Sequence, residues 1–318
     1  IQEPIRTLYV GGGTPSILSV KHLGRLLDGI GIGAFELNEF TIEANPEDIT
    51  PVWVDVVKKL GVNRISMGVQ SLVDSELMAV GRRHSSEQAL QAIDTIYSNG
   101  IDNLSCDLIY GLPGQNLDTW ANSLSGLLSK PLSHLSAYML SYEQGTRLYA
   151  QRMTGKVKEA SDELISEMYD MLVTTAAEHG FEHYEISNFG KQGLHSLHNS
   201  NYWNQTPYLG LGVSAHSYDG QVRRYNPSDM RRYLSSPENA FEEEESTENS
   251  RHNDLVITSL RTSDGICVSD FSQQELALLN QYVAKGIMSP VGNGRYRISE
   301  RGWLLADAVM TDFIRVDD

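Results

Sequence analysis

Two textures alternate along the first 190 residues. Short runs rich in β-branched and aromatic residues occupy 6–10, 40–45, 64–69, 104–110, 134–140 and 181–186, and read as strands. Between them lie stretches with helical character, at 21–30, 51–60, 74–80, 86–99, 117–128 and 162–179. The last shows the helical spacing most plainly, with Leu164, Met168, Met171 and Leu172 on one stripe. Punctuation supports the boundaries. Thr50-Pro51 reads as an N-cap followed by a first-turn proline, and Gly61 and Gly100 stop the helices before them. Six strands separated by helices predict an α/β fold of parallel βαβ units, arranged as a barrel, a partial barrel or a doubly wound sheet. In each of these, ligands bind at the C-terminal ends of the strands.

Beyond residue 186 the texture changes. Residues 187–240 are rich in Gly, Asn, Tyr and Ser with little helical pattern, and the acidic run 241–248 reads as a linker. Helices are predicted at 252–261 and 272–284, then a hairpin over 287–298 turning at Gly292-Asn293-Gly294. That order suggests a small winged-helix-like domain. A chain of 318 residues exceeds the usual size of one domain, so one large and one small domain are expected. The net charge of −16 opposes a nucleic-acid partner, and no apolar run is long enough for a membrane span. Two cysteines, Cys106 and Cys267, make neither a disulfide framework nor a CxxC metal site, and a cytoplasmic protein is expected.

Candidate chemistry concentrates at the strand ends. The first strand runs into Gly11-Gly12-Gly13-Thr14-Pro15, whose missing Cβ atoms let a ligand lie against the backbone or simply allow a tight strand-to-helix turn. Later strands end near Glu43 and Asn45, Gln70, and Asp107 and Tyr110, with Arg82 and Arg83 in the loop after the third. Each carboxylate alone could be a capping residue. Together the set favours a ligand, because an amino acid joined to a ribose needs an Arg for its carboxylate, a Glu for its ammonium and an Asp or Gln for its diol.

The motifs GGGTPS (11–16), TIEANP (41–46), GVNRISMGVQS (61–71), LMAVGRRH (77–84) and CDLIYGLPGQ (106–115) closely resemble those of radical S-adenosylmethionine (SAM) proteins of the oxygen-independent coproporphyrinogen III oxidase group. The likeness continues through HLSAYMLSYEQGT (134–146), YEISNFG (184–190), YLGLGVSAHSY (208–218) and DLVITSLRTSDGI (254–266), so it spans essentially the whole chain. It implies a partial (βα)6 barrel over 1–190, an extension over 191–245 and a C-terminal domain over 246–318. It also implies SAM at the barrel mouth. Gly12, Gly13 and Thr14, helped by Glu43, would meet the methionine amino end, and Arg82 its carboxylate. Gln70 and Asp107 would hold the ribose, and Ile109 would pack near the adenine. The group's [4Fe–4S] cluster takes three cysteines spaced C-x3-C-x2-C, a motif to which neither Cys106 nor Cys267 belongs. The resemblance places that motif upstream of the GGGTP strand. The chain is therefore expected to lack its first strand and cluster loop, and as it stands not to cleave SAM.

One motif divides the group. His198-Asn199-Ser200-Asn201-Tyr202-Trp203 resembles the HNxxYW haem-binding motif of the haem-chaperone, HemW-like branch, in which the histidine is the iron ligand and Tyr202 and Trp203 belong to the haem pocket. A neutral imidazole is a good axial ligand and aromatic rings pack well on a porphyrin. His195 and His216 are nearby alternatives. Two functions follow. One is a haem carrier supplying respiratory proteins, with SAM and the cluster in support. The other is an enzyme decarboxylating coproporphyrinogen III to protoporphyrinogen IX in porphyrin biosynthesis. The motif favours the carrier. A generic phosphate-binding TIM-like enzyme is a weaker third reading, because no second glycine-rich phosphate site follows late in the barrel.

Overall fold

The computed structural model describes residues 4–237 and 240–316. They form two compact units that divide between His198 and Asn199.

The first unit is built on one seven-stranded sheet. Its strands β1 (Thr7–Val10), β2 (Glu39–Ala44), β3 (Arg64–Gln70), β4 (Leu104–Tyr110) and β5 (His134–Met139) lie side by side in chain order, all parallel. The helices are α1 (Val20–Gly29), α2 (Pro51–Lys59), α3 (Asp74–Ala79), α4 (Ser86–Ser98), α5 (Leu117–Leu128), α6 (Arg147–Met153) and α7 (Asp162–Glu178), followed by β6 (Phe181–Glu185). Thr50 caps α2 as its sequence implies, its hydroxyl accepting from Trp53 N–H at 3.1 Å. All six expected strands and six expected helices are present, and α6 is additional.

One feature departs from the expected order. The chain turns back directly after β6 into β7 (Asn188–Lys191), which inserts between β5 and β6 and runs antiparallel to both. The sixth parallel strand therefore sits at the sheet edge, separated from the fifth. The sequence Asn-Phe-Gly-Lys carries almost no strand signal. Its two-sided backbone pairing, not its propensity, makes it a strand.

Alternation splits the sheet into two unlike faces. Phe40, Ile42, Ile65, Met67, Val69, Leu104, Cys106, Leu108, Leu135 and Ala137 are buried, and form the apolar set. The alternate residues are Tyr9, Glu39, Thr41, Glu43, Arg64, Ser66, Gln70, Ser105, Asp107, His134 and Ser136. Strands covered on both faces usually read as near-continuous apolar runs. Here the inner face of the partial barrel is polar, and that is where ligand chemistry is found.

The second unit carries the rest of α8 (Leu197–Trp203), which begins in the first unit. It continues with β8 (His216–Tyr218), β9 (Arg223–Tyr225), α9 (Met230–Ser235) and β10 (Glu242–Glu243), whose strands form a small antiparallel sheet. The acidic run expected as a linker thus supplies an edge strand. Its charge is matched locally: Arg232 meets Glu242 at 2.8 Å, Arg224 meets Glu243 at 2.8 Å, and the Tyr225 hydroxyl donates to Glu242 at 2.8 Å. Next come α10 (Glu248–Leu260), β11 (Ile266–Cys267), α11 (Gln273–Ala284), the hairpin β12 (Met288–Gly292) and β13 (Arg295–Ile298), and finally α12 (Ala306–Asp312). β11 pairs onto β13, and Asn293 and Gly294 turn the hairpin at positive φ. The expected divisions at 190/191 and 245/246 do not coincide with the boundary between the units. Residues 196–198 are tied to Glu39 of β2, which moves that boundary to 198/199.

Trp120 of α5 is completely buried, and its indole N–H donates to the Met168 carbonyl of α7 at 2.8 Å. Trp120→Ala is expected to destabilise the protein by about 3–5 kcal/mol, since it opens a cavity in the core and removes the indole hydrogen bond to α7. Urea unfolding measures this. A loss under about 1 kcal/mol would mean the α5–α7 layer collapses around the gap.

Candidate functional site

The strand ends meet at a cavity of about 490 Å³ lined by Gln70, Asp107, Ile109, Tyr138, Met139, Leu140 and Ser141. Three of the expected residues line it together. The other four come from the end of β5 and just beyond, a stretch whose only sequence signal was its position. Tyr110 does not belong there. Inward Asp107 and Ile109 force it to the opposite face, where its ring packs against Trp120 and Tyr169 at 5.8 and 6.4 Å.

The glycine loop is shaped around one carboxylate. A Cβ on Gly11 would stand 2.5 Å from the Tyr9 ring and 2.7 Å from Glu43 Oε1, so only glycine fits. Gly12, at φ 80°, donates its N–H to Glu43 Oε2 at 3.1 Å, and the Tyr9 hydroxyl donates to Glu43 Oε1 at 2.8 Å. Glu43 is thereby fixed with lone pairs to spare, as a carboxylate that receives an ammonium must be. Gly13 is exposed and has open space around it. Thr14 follows on the same loop, before the short turn Pro15–Ile17.

The end of β3 is strained. Gln70 has φ 71° although it is not glycine, and the β3–β4 register shifts between Gly68 and Gln70. Such a conformation costs of order 1–3 kcal/mol and is typical of ligand-facing backbone. Its effect is visible at Gly68, where an added Cβ would meet Gln70 Nε2 at 2.8 Å and Arg82 Nη2 at 2.9 Å. The amide and the guanidinium converge over that glycine. Arg82 Nη1 donates to Asn45 Oδ1 at 3.2 Å. Its loop is pinned by His84, which bonds the Val69 carbonyl at 3.0 Å and Glu47 at 3.2 Å, and by an Arg83–Glu47 pair at 3.1 Å. Arg83 thus positions the loop and points away from the ligand set.

Asp107 lines the cavity from within the barrel wall. Burial pushes its carboxyl up to about 6, against the opposing pull of a Ser136 hydrogen bond and the Arg64 and Arg82 charges.

His198 lies in the same unit, beside Thr7 and Tyr9 of β1. Its Nδ1 is hydrogen-bonded to Thr7 Oγ1 at 2.9 Å, and its ring stacks on Tyr9 at 5.2 Å with 25° between planes. Buried Glu39 accepts the backbone N–H groups of Leu197 and His198 at 2.8 and 2.9 Å, a carboxylate at the start of α8. Burial holds the imidazole below its ordinary pKa. Neither Glu39 nor Tyr9 was singled out from sequence, although Glu39, Thr41 and Glu43 at alternate positions of a parallel strand were a readable sign. His195 is committed elsewhere, stacked on Tyr184 at 4.0 Å and paired with Glu182 at 3.1 Å. In the second unit, Tyr202 meets Tyr208 edge-on at 4.7 Å and Arg261 lies 5.8 Å over Trp203, whose indole nitrogen is buried without a hydrogen bond. His216 borders a separate cavity of about 340 Å³ with Tyr225, Arg232 and Glu242.

Comparison with known proteins connects these features. The radical SAM superfamily model matches residues 1–125. The heme chaperone HemW of Lactococcus lactis is 32% identical over 327 residues, covering 99% of this chain and 86% of that protein. The Bacillus subtilis heme chaperone HemW is 31% identical, covering 98% of this chain and 86% of its own. The chain belongs to the HemW family of radical SAM proteins. Escherichia coli coproporphyrinogen III oxidase, HemN, described as a radical SAM enzyme, shares the fold with a TM-score of 0.80 at 23% identity, over 97% of this chain and 77% of that one.

Membership in the HemW family raises the question of which cofactors these residues suit. The strand-end set suits SAM: open space over Gly12 and Gly13, a fixed carboxylate, a converging amide and guanidinium, and a cavity at the strand ends. A [4Fe–4S] cluster does not fit. Cys106 is buried on the apolar face of β4, where burial raises its thiol pKa well above the ordinary value, and Cys267 is exposed in β11 of the other unit. Among the described residues no cluster of three or more His, Cys, Asp or Glu could hold a metal ion, and no helix is long and apolar enough to cross a membrane.

Asp107 supplies a pH test. Its folded pKa near 6 lies above the ordinary 3.8, so its stabilising contribution is complete below about pH 4 and is lost as pH rises through 6. The wild type is expected to lose up to roughly 3 kcal/mol relative to Asp107→Asn across that window. Thermal melts of both proteins from pH 4 to 7 measure the difference, and parallel curves would contradict the assignment.

Proposed function

We propose that this chain is a haem carrier of the radical SAM superfamily that holds haem through His198, binds SAM at the strand-end cavity and passes haem to respiratory acceptor proteins. The observation that carries the reading is His198 itself. It is kept neutral by burial, aligned by Thr7, Tyr9 and the Glu39 carboxylate, and opens a full HNxxYW motif in a chain of the HemW family. A hydrogen bond to one ring nitrogen is the usual way to orient an imidazole toward iron. Tyr202 and Trp203 are the aromatic positions of that motif. Relatives named heme chaperones at 31–32% identity over nearly the whole chain support the same reading.

At the cavity, Gly12, Gly13, Thr14 and Glu43 take the methionine amino end of SAM, and Arg82 its carboxylate. Gln70 and Asp107 take the ribose hydroxyls, and Ile109 lies beside the adenine, with Tyr138 as a further wall. Asp107 accepts from a ribose hydroxyl best when ionised, which its pKa near 6 allows at neutral pH. When bound, SAM supplies a cleavable sulfonium; the residues here bind and orient it. Tyr9 touches both sites, bonding Glu43 through its hydroxyl and stacking on His198 through its ring. The alternative, oxidative decarboxylation of coproporphyrinogen III, rests on the shared fold with HemN.

The test is an absorbance titration with haem beside the variant His198→Ala. Saturable binding with a Soret shift, weakened about tenfold or more and shifted in wavelength by the substitution, is the expected result. Spectra and affinity unchanged by the substitution would remove His198 as the ligand.

A further inference from the structure

We propose that Arg64 and Thr41 form a carboxylate-binding subsite inside the barrel, filled by a propionate of the bound haem; this rests on the haem-carrier reading.

The two residues are direct partners across the β2–β3 register, and alternation turns both to the polar inner face. Arg64 is only 2% exposed and Thr41 is fully buried. Arg64 Nε and Thr41 Oγ1 are both buried without a hydrogen-bond partner, and no ion pair of Arg64 occurs among the described residues. Several other polar groups on this face have partners. Glu39 holds the start of α8, Glu43 accepts from Tyr9 and Gly12, and His134 is bonded to Ser105 at 2.8 Å and to the Tyr184 hydroxyl at 2.7 Å. Two orphans side by side in a paired interior mark a place left for something else.

Their chemistry names the class. A guanidinium cannot shed its proton to escape the penalty of burial, and it presents a planar fork of donors. Thr41 adds a hydroxyl donor beside it. The fixed positive charge and planar fork of the guanidinium call for an anion, a flat carboxylate matches that fork best, and the Thr41 hydroxyl, which can donate or accept, can donate to it as well. A buried donor with no hydrogen bond disfavours the empty protein, so an acceptor arriving with the ligand recovers that cost as affinity.

Two carboxylate-bearing ligands belong to this chain under the proposed function. Arg82 already stands at the mouth for the carboxylate of SAM. Arg64 lies deeper, close enough for its charge to act on His198, Tyr9, His134 and Tyr184 as well as on Asp107. That neighbourhood favours the haem propionate, since a porphyrin held at His198 extends its acid groups well beyond the iron.

The experiment titrates wild type, Arg64→Met, Arg64→Lys and Thr41→Val with haem and with haem dimethyl ester, which lacks free carboxylates. The subsite predicts that wild type prefers haem over the ester by about tenfold or more. Arg64→Met should bind the two alike, with Arg64→Lys and Thr41→Val intermediate. Melting temperatures of the unliganded proteins separate this from a structural role: Arg64→Met should melt close to wild type, because its buried Nε–H has no hydrogen bond to lose. Equal wild-type affinity for haem and ester, or a preference that survives Arg64→Met, overturns the propionate assignment. Should no form bind haem, the haem reading itself has failed. Calorimetry with SAM and decarboxylated SAM then decides the subsite: a wild-type preference for SAM lost in Arg64→Met keeps it with a different carboxylate, and no such loss overturns it.

Discussion

A barrel whose inner face is polar must satisfy nearly every inward group by hand. Water is scarce there, and an unpaired donor or acceptor costs about 1–3 kcal/mol, more if charged. That constraint explains the arrangement better than any single motif. Glu39 spends its two oxygens on backbone N–H groups of α8, Glu43 is claimed by Tyr9 and Gly12, and His134 is held between Ser105 and Tyr184. Each bond fixes a side chain and, through it, a piece of chain from elsewhere. Glu39 does this over the longest distance, joining the second strand of the sheet to residues near position 198.

Tyr9 shows how the same constraint links the two ligand regions. Its hydroxyl stabilises the carboxylate under the glycine loop, while its face carries the His198 ring. Burial drives its own pKa up, so it remains a hydrogen-bond donor at any physiological pH. One aromatic ring with two torsions thus contacts both the carboxylate under the glycine loop and the His198 ring.

Much of this was legible in the sequence. Local signals sufficed for the parallel strands, because Thr50-Pro51, Gly61 and Gly100 punctuate strong apolar periodicity. The strand-end residues Gln70, Asp107 and Ile109 could be grouped because a parallel topology sends every such end to one mouth. What escaped was decided by pairing in space. β7 is a strand only because two neighbours accept it, and the acidic run 241–248 looked like a linker until Arg224 and Arg232 were found opposite it. Glu39 and Tyr9 were missed for a related reason. A polar residue within a strand declares that it faces something unusual, but not what it faces. Tyr110 failed in the other direction: strand position suggested the mouth, and strict alternation placed it on the helix side.

The site is also where the fold gives up stability. Gln70 holds a left-handed backbone, Asp107 ionises only against burial, and Arg64 lies in the interior with an unpartnered Nε. Each disfavours the unliganded protein by amounts comparable with a sizeable fraction of a typical folding free energy. The opposite face of the same strands offsets them, with Phe40, Ile42, Ile65, Met67 and Leu108 essentially removed from water at about 1.5–3 kcal/mol each. Strand geometry makes this division possible, since successive residues belong to different faces. One face can be chosen for packing while its neighbours, two residues apart, are chosen for what they will bind. Polarity on the inner face is then informative in itself: residues that harm the empty protein persist where a ligand repairs the harm.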